Sequence, residues 1–188
     1  AMSRAALILL LLLAWPATAA DWGQIIPGET TEEGVRARYG APVKQSVQKV
    51  EGYESAQWVY EGAKAPAGIT RMTVDFGLLL PSGFKKDVVR TFRLEPKPDI
   101  FNRKLVLDGW GLPGRLGKDG NLEFFLYKEG LLVYFDAGGE QVIAMIFTPP
   151  QPLPPADATP VPPSMPQPAA PPPAAPQPAA PQPTAPQR

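Results

Sequence analysis

The chain has 188 residues, with 18 basic and 18 acidic side chains, 26 prolines, no histidine and no cysteine. Balanced charge offers nothing to steer the protein to nucleic acid or an anionic membrane. Without imidazole or thiol there is no Ser-His-Asp or Cys-His catalysis, no His-ligated metal, no zinc-thiolate site and no disulfide.

Taken in chain order, residues 2–20 read as a secretory signal. Arg4 supplies the positive start, Ala5 to Trp15 form a leucine-dense apolar run, and Ala17-Thr-Ala-Ala20 are the small residues a signal peptidase needs. Cleavage is expected after Ala20 or Ala19; the competing reading is a retained single membrane anchor. A lipid-bearing cysteine is missing, so no lipid anchor is expected. The globular part is expected over residues 21–148, with 16 basic and 17 acidic side chains.

The first helix is marked by Thr30-Thr-Glu-Glu33, which reads as a capping box with Thr30 as N-cap. Ile25 and Ile26 precede it as a hydrophobic staple. Val35 and Tyr39 sit four apart on one face, and Gly40 followed by Pro42 stops the helix. Period-two alternation predicts strands over 57–60, 69–76 and 86–94. A second helix is expected with Asp99 as N-cap, Ile100, Leu105 and Val106 as its apolar face, and Gly109 or Gly111 as its stop before Pro113. Strands are expected again over 122–127, 131–135 and 142–147, joined by tight turns. Trp58, Tyr60, Phe125 and Tyr127 alternate on these strands and read as packing residues.

From Pro149 to Arg188 the chain carries 18 of its 26 prolines, spaced mostly by Ala and Gln. Such a segment buries too little apolar surface to offset its ordering entropy and is expected to be a disordered, polyproline-II-like tail. At about 3.1 Å per residue its 40 residues would span up to roughly 120 Å. It reads as a spacer, as a ligand for an aromatic-lined groove, or as a tether through the cell-wall mesh.

The order of helix, aromatic-Gly-x-Pro stop and three strands occurs twice, over about 24–94 and 95–148. This periodicity predicts an α+β fold: two repeated helix-plus-antiparallel-meander units with helices on one face of the sheet. Ile26-Pro-Gly-Glu-Thr-Thr-Glu-Glu-Gly-Val35, Tyr39-Gly-Ala-Pro42 and Trp58-Val-Tyr60 resemble the start of the SmpA/OmlA (BamE-like) module. The tandem layout is similar to the β-lactamase inhibitor protein fold. That resemblance implies a protein-binding module with no catalytic residues and no cofactor.

No catalytic constellation stands out. Ser46, Ser55 and Ser82 lack a surrounding motif, and Glu51 with Glu54 or Glu123 with Asp136 read as solvated surface groups. Gly109 to Gly114 and Gly117 to Gly120 lack the Lys-Ser/Thr end of a phosphate loop, and Asp119-Gly120-Asn121 reads as a turn. One stretch does ask for an explanation. Where the second copy turns through polar Asp136 to Gln141, the first carries Gly77-Leu-Leu-Leu-Pro-Ser-Gly-Phe84. Two readings stand: Leu78 to Leu80 extend the strand and pack inward, or they form a contact for a partner or a membrane, centred on Leu79, Leu80 and Phe84. The chain is therefore expected to be an exported, non-catalytic binding module of the cell envelope, an outer-membrane assembly accessory or scaffold whose partner is another envelope protein. An inhibitor of an envelope hydrolase and a cell-wall-spanning tether acting through the tail are the alternatives.

Overall fold

The computed structural model describes residues 22–150; the expected signal at 2–20 and the tail beyond Pro150 lie outside the described residues. Two short helices, α1 (Glu32–Tyr39) and α2 (Arg103–Trp110), accompany eight strands. The strands are β1 (Lys44–Val50), β2 (Tyr53–Glu61), β3 (Ile69–Leu80), β4 (Gly83–Pro96), β5 (Arg115–Asp119), β6 (Leu122–Tyr127), β7 (Leu131–Phe135) and β8 (Val142–Phe147). All eight belong to a single sheet in the order β1-β2-β3-β4-β8-β7-β6-β5, antiparallel throughout.

This corrects the expected fold class. The described chain is a mainly β fold, one continuous eight-stranded antiparallel sheet, and not an α+β pair of repeated helix-plus-meander units. The physical reason is the seam between β4 and β8. Phe92 pairs with Phe147, Arg93 with Ile146 and Leu94 with Met145, which fuses what sequence alone suggested as two meanders. The Phe92 and Phe147 rings stack at 4.5 Å with only 4° between their planes. The helices, eight residues each, are too short to make a layer of their own. Two strands were also missed, β1 and β5, which form the sheet's outer edges.

Both helices start later than the sequence suggested. The N-cap of α1 is Thr31, whose Oγ1 accepts from the Gly34 amide at 3.4 Å. Thr30 instead accepts from the Ile26 amide at 2.9 Å and closes the preceding turn. The N-cap of α2 is Asn102, accepting from the Leu105 amide at 2.9 Å, while Asp99 takes a positive φ of 64° in the turn before it. Each helix ends on a glycine, Gly40 at φ 74° and Gly111 at φ 76°, a conformation that costs a side chain-bearing residue free energy. The carbonyl of each terminal glycine accepts a buried tyrosine hydroxyl: Tyr60 to Gly40 and Tyr127 to Gly111, both at 3.0 Å.

The main core lies between the helices and one face of the sheet. It gathers Val35 and Val106 with Trp58, Tyr60, Val74, Phe76, Phe92, Phe125, Phe135 and Phe147, among others. Of the expected apolar face of α2 only Val106 is buried, and Ile100 and Leu105 stay exposed. Trp22 is half-buried against this core through a bridge to Ile25. The opposite face, here called the open face, carries a smaller apolar cluster of Phe124, Leu132, Tyr134 and Ala144.

Replacing Tyr60 or Tyr127 by Phe removes a buried side chain's hydrogen bond to the carbonyl of the glycine that ends a helix. Each change is expected to cost about 1 kcal/mol in chemical denaturation. Burial is also the main cause of a raised phenol pKa at Tyr60, pushed up to about 12 despite the nearby Arg36. Tyr127 is raised by burial and then by Glu129, and Tyr134 by burial and then by Asp119. These phenols keep their protons in the fold after the unfolded chain, titrating near the ordinary value of about 10, has lost them. Stability from this source is complete below pH of about 10 and is expected to fall as pH rises toward about 12, measurable as a declining melting temperature alongside phenolate absorbance.

Candidate functional site

Two hairpins project at the same end of the first half of the sheet. The β1–β2 hairpin turns through Glu51 and Gly52, both at positive φ, 51° and 84°, the pattern of a two-residue turn matched to strand twist. Val50 and Tyr53 are the flanking pair. The β3–β4 hairpin turns through Pro81 and Ser82, with Leu80 paired to Gly83 and Leu79 to Phe84. Leu78 to Leu80 therefore extend β3 rather than forming a loop.

A small aromatic platform results. Tyr53 on β2 and Phe84 on β4 stack at 4.5 Å and 11°, although β3 runs between their strands. Gly77 makes this contact possible. At φ 87°, a Cβ placed there would lie 2.6 Å from Ser55 Cβ and 2.7 Å from Phe84 Cζ. The missing side chain lets the Phe84 ring cross β3 and meet Tyr53. Ser55 lies beneath, 1% exposed, and its hydroxyl has no hydrogen-bond partner among the described residues. Above, Tyr53 is 49% and Leu79 48% exposed. Phe84 and Leu80 are half-buried.

Of the three residues singled out from sequence, Leu79 and Phe84 are thus cross-strand neighbours on the open face. Leu80 is one step along the strand, and alternation turns it to the other face. Tyr53 was missed by sequence reasoning. Its signal was modest, an aromatic residue directly after a Glu-Gly turn. Exposed charges of both signs belong to this hairpin end, Glu51 in the β1–β2 turn and Lys86 and Asp87 along β4, while Lys49, Glu54 and Lys85 alternate with the platform residues onto the other face.

Further in on the open face, the sheet is polar. Asp75 on β3 accepts from the amides of Gln48 on β1 and Gln57 on β2, both at 2.8 Å, and from the Thr91 hydroxyl on β4 at 3.2 Å. This row ties four strands together through one carboxylate. Of the other candidates, Glu123 is bound by Arg103, which also donates to the Gly139 carbonyl at 2.5 Å and lies over the Phe125 and Phe135 rings. Asp136 accepts from the Glu140 and Gln141 amides at 3.0 and 3.2 Å, closing its own turn. Both carboxylates thus have structural roles. Ser46 is half-buried on β1, and Ser82 lies exposed in the β3–β4 turn. Asp119-Gly120-Asn121 lies at the β5–β6 hairpin turn, as expected.

No family model matches the chain, and no curated protein matches it. Among solved structures it is similar to a DUF4309 family protein (YjgB) from Bacillus subtilis subsp. subtilis str. 168, at 11% identity over 66% of this chain and 82% of that one, with a TM-score of 0.42. A likeness that slight carries no weight for the site or for its function.

The platform's construction is open to direct test. Gly77→Ala forces a Cβ against Ser55 and Phe84 and is expected to cost about 1–3 kcal/mol. Ser55→Ala removes an unsatisfied buried hydroxyl and is expected to be neutral or stabilising by up to about 1 kcal/mol. Leu79→Ser, at an exposed position, is expected to stay within about 0.5 kcal/mol of the parent. Urea denaturation of the three variants reads all of these.

Proposed function

We propose that this protein is an exported, non-catalytic binding module of the cell envelope, and that it engages another envelope protein through the hairpin end carrying Tyr53, Leu79 and Phe84. The observation that carries this reading is the exposed aromatic-aliphatic platform. Large apolar groups at a hairpin end normally avoid water, and a rigid, pre-stacked aromatic pair offers contact area at little entropic cost. Exposed charges of both signs at this hairpin end, Glu51, Lys86 and Asp87, favour a protein partner with an apolar pocket over nucleic acid or an anionic lipid surface. The apolar run and small-residue cut site at 2–20 support export, and the absence of histidine and cysteine supports binding over nucleophilic catalysis.

The test has two stages. Crosslinked capture from native envelopes, run with the parent protein and with Tyr53→Ala in parallel, selects partners lost from the variant. The binary affinity is then measured with each purified partner. Tyr53→Ala is expected to lose about 2 kcal/mol or more of binding, roughly 30-fold, as central interface tyrosines do, while the loss of one half-exposed ring stack costs only about 1 kcal/mol of stability and leaves the protein folded. A partner bound equally well by Tyr53→Ala and Leu79→Ser would sink the platform as the contact.

A further inference from the structure

Among the described residues the sheet has two open edges, β1 and β5, and the first is unusually regular. Strand β1 pairs with β2 over all seven residues, Lys44 with Val59 through Val50 with Tyr53, with no register shift and no proline. An exposed edge of this kind is a template for another strand. Strand β5 is a poorer one, with five residues, a glycine at its centre, and the Phe124 ring so close to that glycine that a Cβ would lie 2.3 Å away.

Which groups β1 offers follows from its turn. Val50 and Tyr53 flank a two-residue turn and so form a hydrogen-bonded pair. Alternation then points the N–H and C=O of Ser46 and Gln48 inward to β2 and leaves those of Gln45, Val47 and Lys49 facing out. Val47 stands at the middle of this row and is 72% exposed.

We infer that β1 is the contact between two copies of this chain, paired antiparallel about a two-fold axis through Val47. This register overlaps the full length of both strands. It sets Val47 against Val47, Gln45 against Lys49 and Lys44 against Val50, so every outward N–H and C=O of the strand finds a partner, about six hydrogen bonds in all. Charge favours it too. The basic start of each strand, Lys44, comes beside the Glu51 that follows the end of the other, at both ends of the interface. Parallel pairing in register would oppose Lys44 to Lys44 and Lys49 to Lys49, which is destabilising. The resulting sheet runs continuously through sixteen strands, twice the eight of one chain, and its two Tyr53–Phe84 platforms lie at opposite ends of the seam. The contact stands independently of what those platforms bind.

The chain has no native cysteine, so single cysteines report cleanly on the seam. Directly opposed strand residues lie about 5.5 Å apart at Cα, within disulfide range. Under mild oxidation, Val47→Cys is expected to give a covalent dimer, and Leu116→Cys on the β5 edge, 64% exposed, is expected to stay monomeric. Sedimentation of the parent is expected to show a concentration-dependent dimer. Val47→Lys places two ammonium groups on the axis and is expected to shift the protein to monomer with an unchanged circular dichroism spectrum. Lys44→Glu is expected to weaken the dimer, and adding Glu51→Lys to restore it. A parent that stays monomeric at all concentrations, a dimer indifferent to Val47→Lys, or crosslinking through Leu116→Cys would each overturn the assignment.

Discussion

The structure depends on a seam of three residue pairs. Strand β4 is fourteen residues long, yet only Phe92, Arg93 and Leu94 meet β8. Remove that contact and the sheet becomes two four-stranded pieces, each with a newly bare edge. The stacked Phe92 and Phe147 rings put a large buried apolar contact at the point where ladder hydrogen bonds are fewest. The rest of the edge is filled by the segments that lead into the helices. Beside β4, the Gly28 amide donates to the Val89 carbonyl and the Val89 amide to the Thr30 carbonyl, both at 2.8 Å. Beside β8, the Arg103 amide donates to Glu140 at 2.8 Å and the Val142 amide to Phe101 at 3.0 Å. Each helix is thus hung from a central strand by a strand-like step just before its first turn. The seam positions the helices as well as the halves.

This explains what could be read from the sequence and what could not. Six strands announce themselves by apolar residues: most alternate because one face lies in the main core, and β7, buried at all five positions, shows as a continuous apolar run. The outer strands do not. In Lys44–Val50 no residue is fully buried, so the strand has no apolar row for a period to show. The fold class failed for a different reason. Whether two meanders stay apart or merge is decided by residues about fifty positions apart in the chain, Phe92 to Leu94 against Met145 to Phe147, and no local pattern carries that. The helix starts slipped for a third reason: neighbouring polar residues compete for the cap. Thr30 and Thr31 are equivalent in composition, but Thr30 is engaged by Ile26, which leaves Thr31 to cap.

The platform shows the same limit at the level of single residues. Leu79 and Phe84 were legible because four large apolar residues near a hairpin turn are unusual. Leu80 had the same composition as Leu79, and only strand parity separates the two. Tyr53 could not be linked to Phe84 from sequence because they sit on strands that do not pair. Their contact passes over Gly77, so the informative residue is the one with no side chain. A glycine inside a strand signals a close approach of this kind, but it does not say which residues make it.

The open face then has to be kept from becoming one continuous apolar surface. Over the second half it holds Phe124, Leu132, Tyr134 and Ala144, packed closely enough that each is nearly buried. Over the first half, the corresponding positions are filled by Gln48, Gln57, Asp75 and Thr91, locked to one another. A carboxylate with three donors already satisfied has little left to offer a ligand, and side chains that satisfy one another hold their water-facing surface without collapsing into an apolar patch. The polar row separates the aromatic platform at the hairpin end from the apolar cluster on the far strands. A protein that exposes aromatic surface at one end of a sheet needs such an interruption, since an unbroken apolar face across eight strands would bind without discrimination.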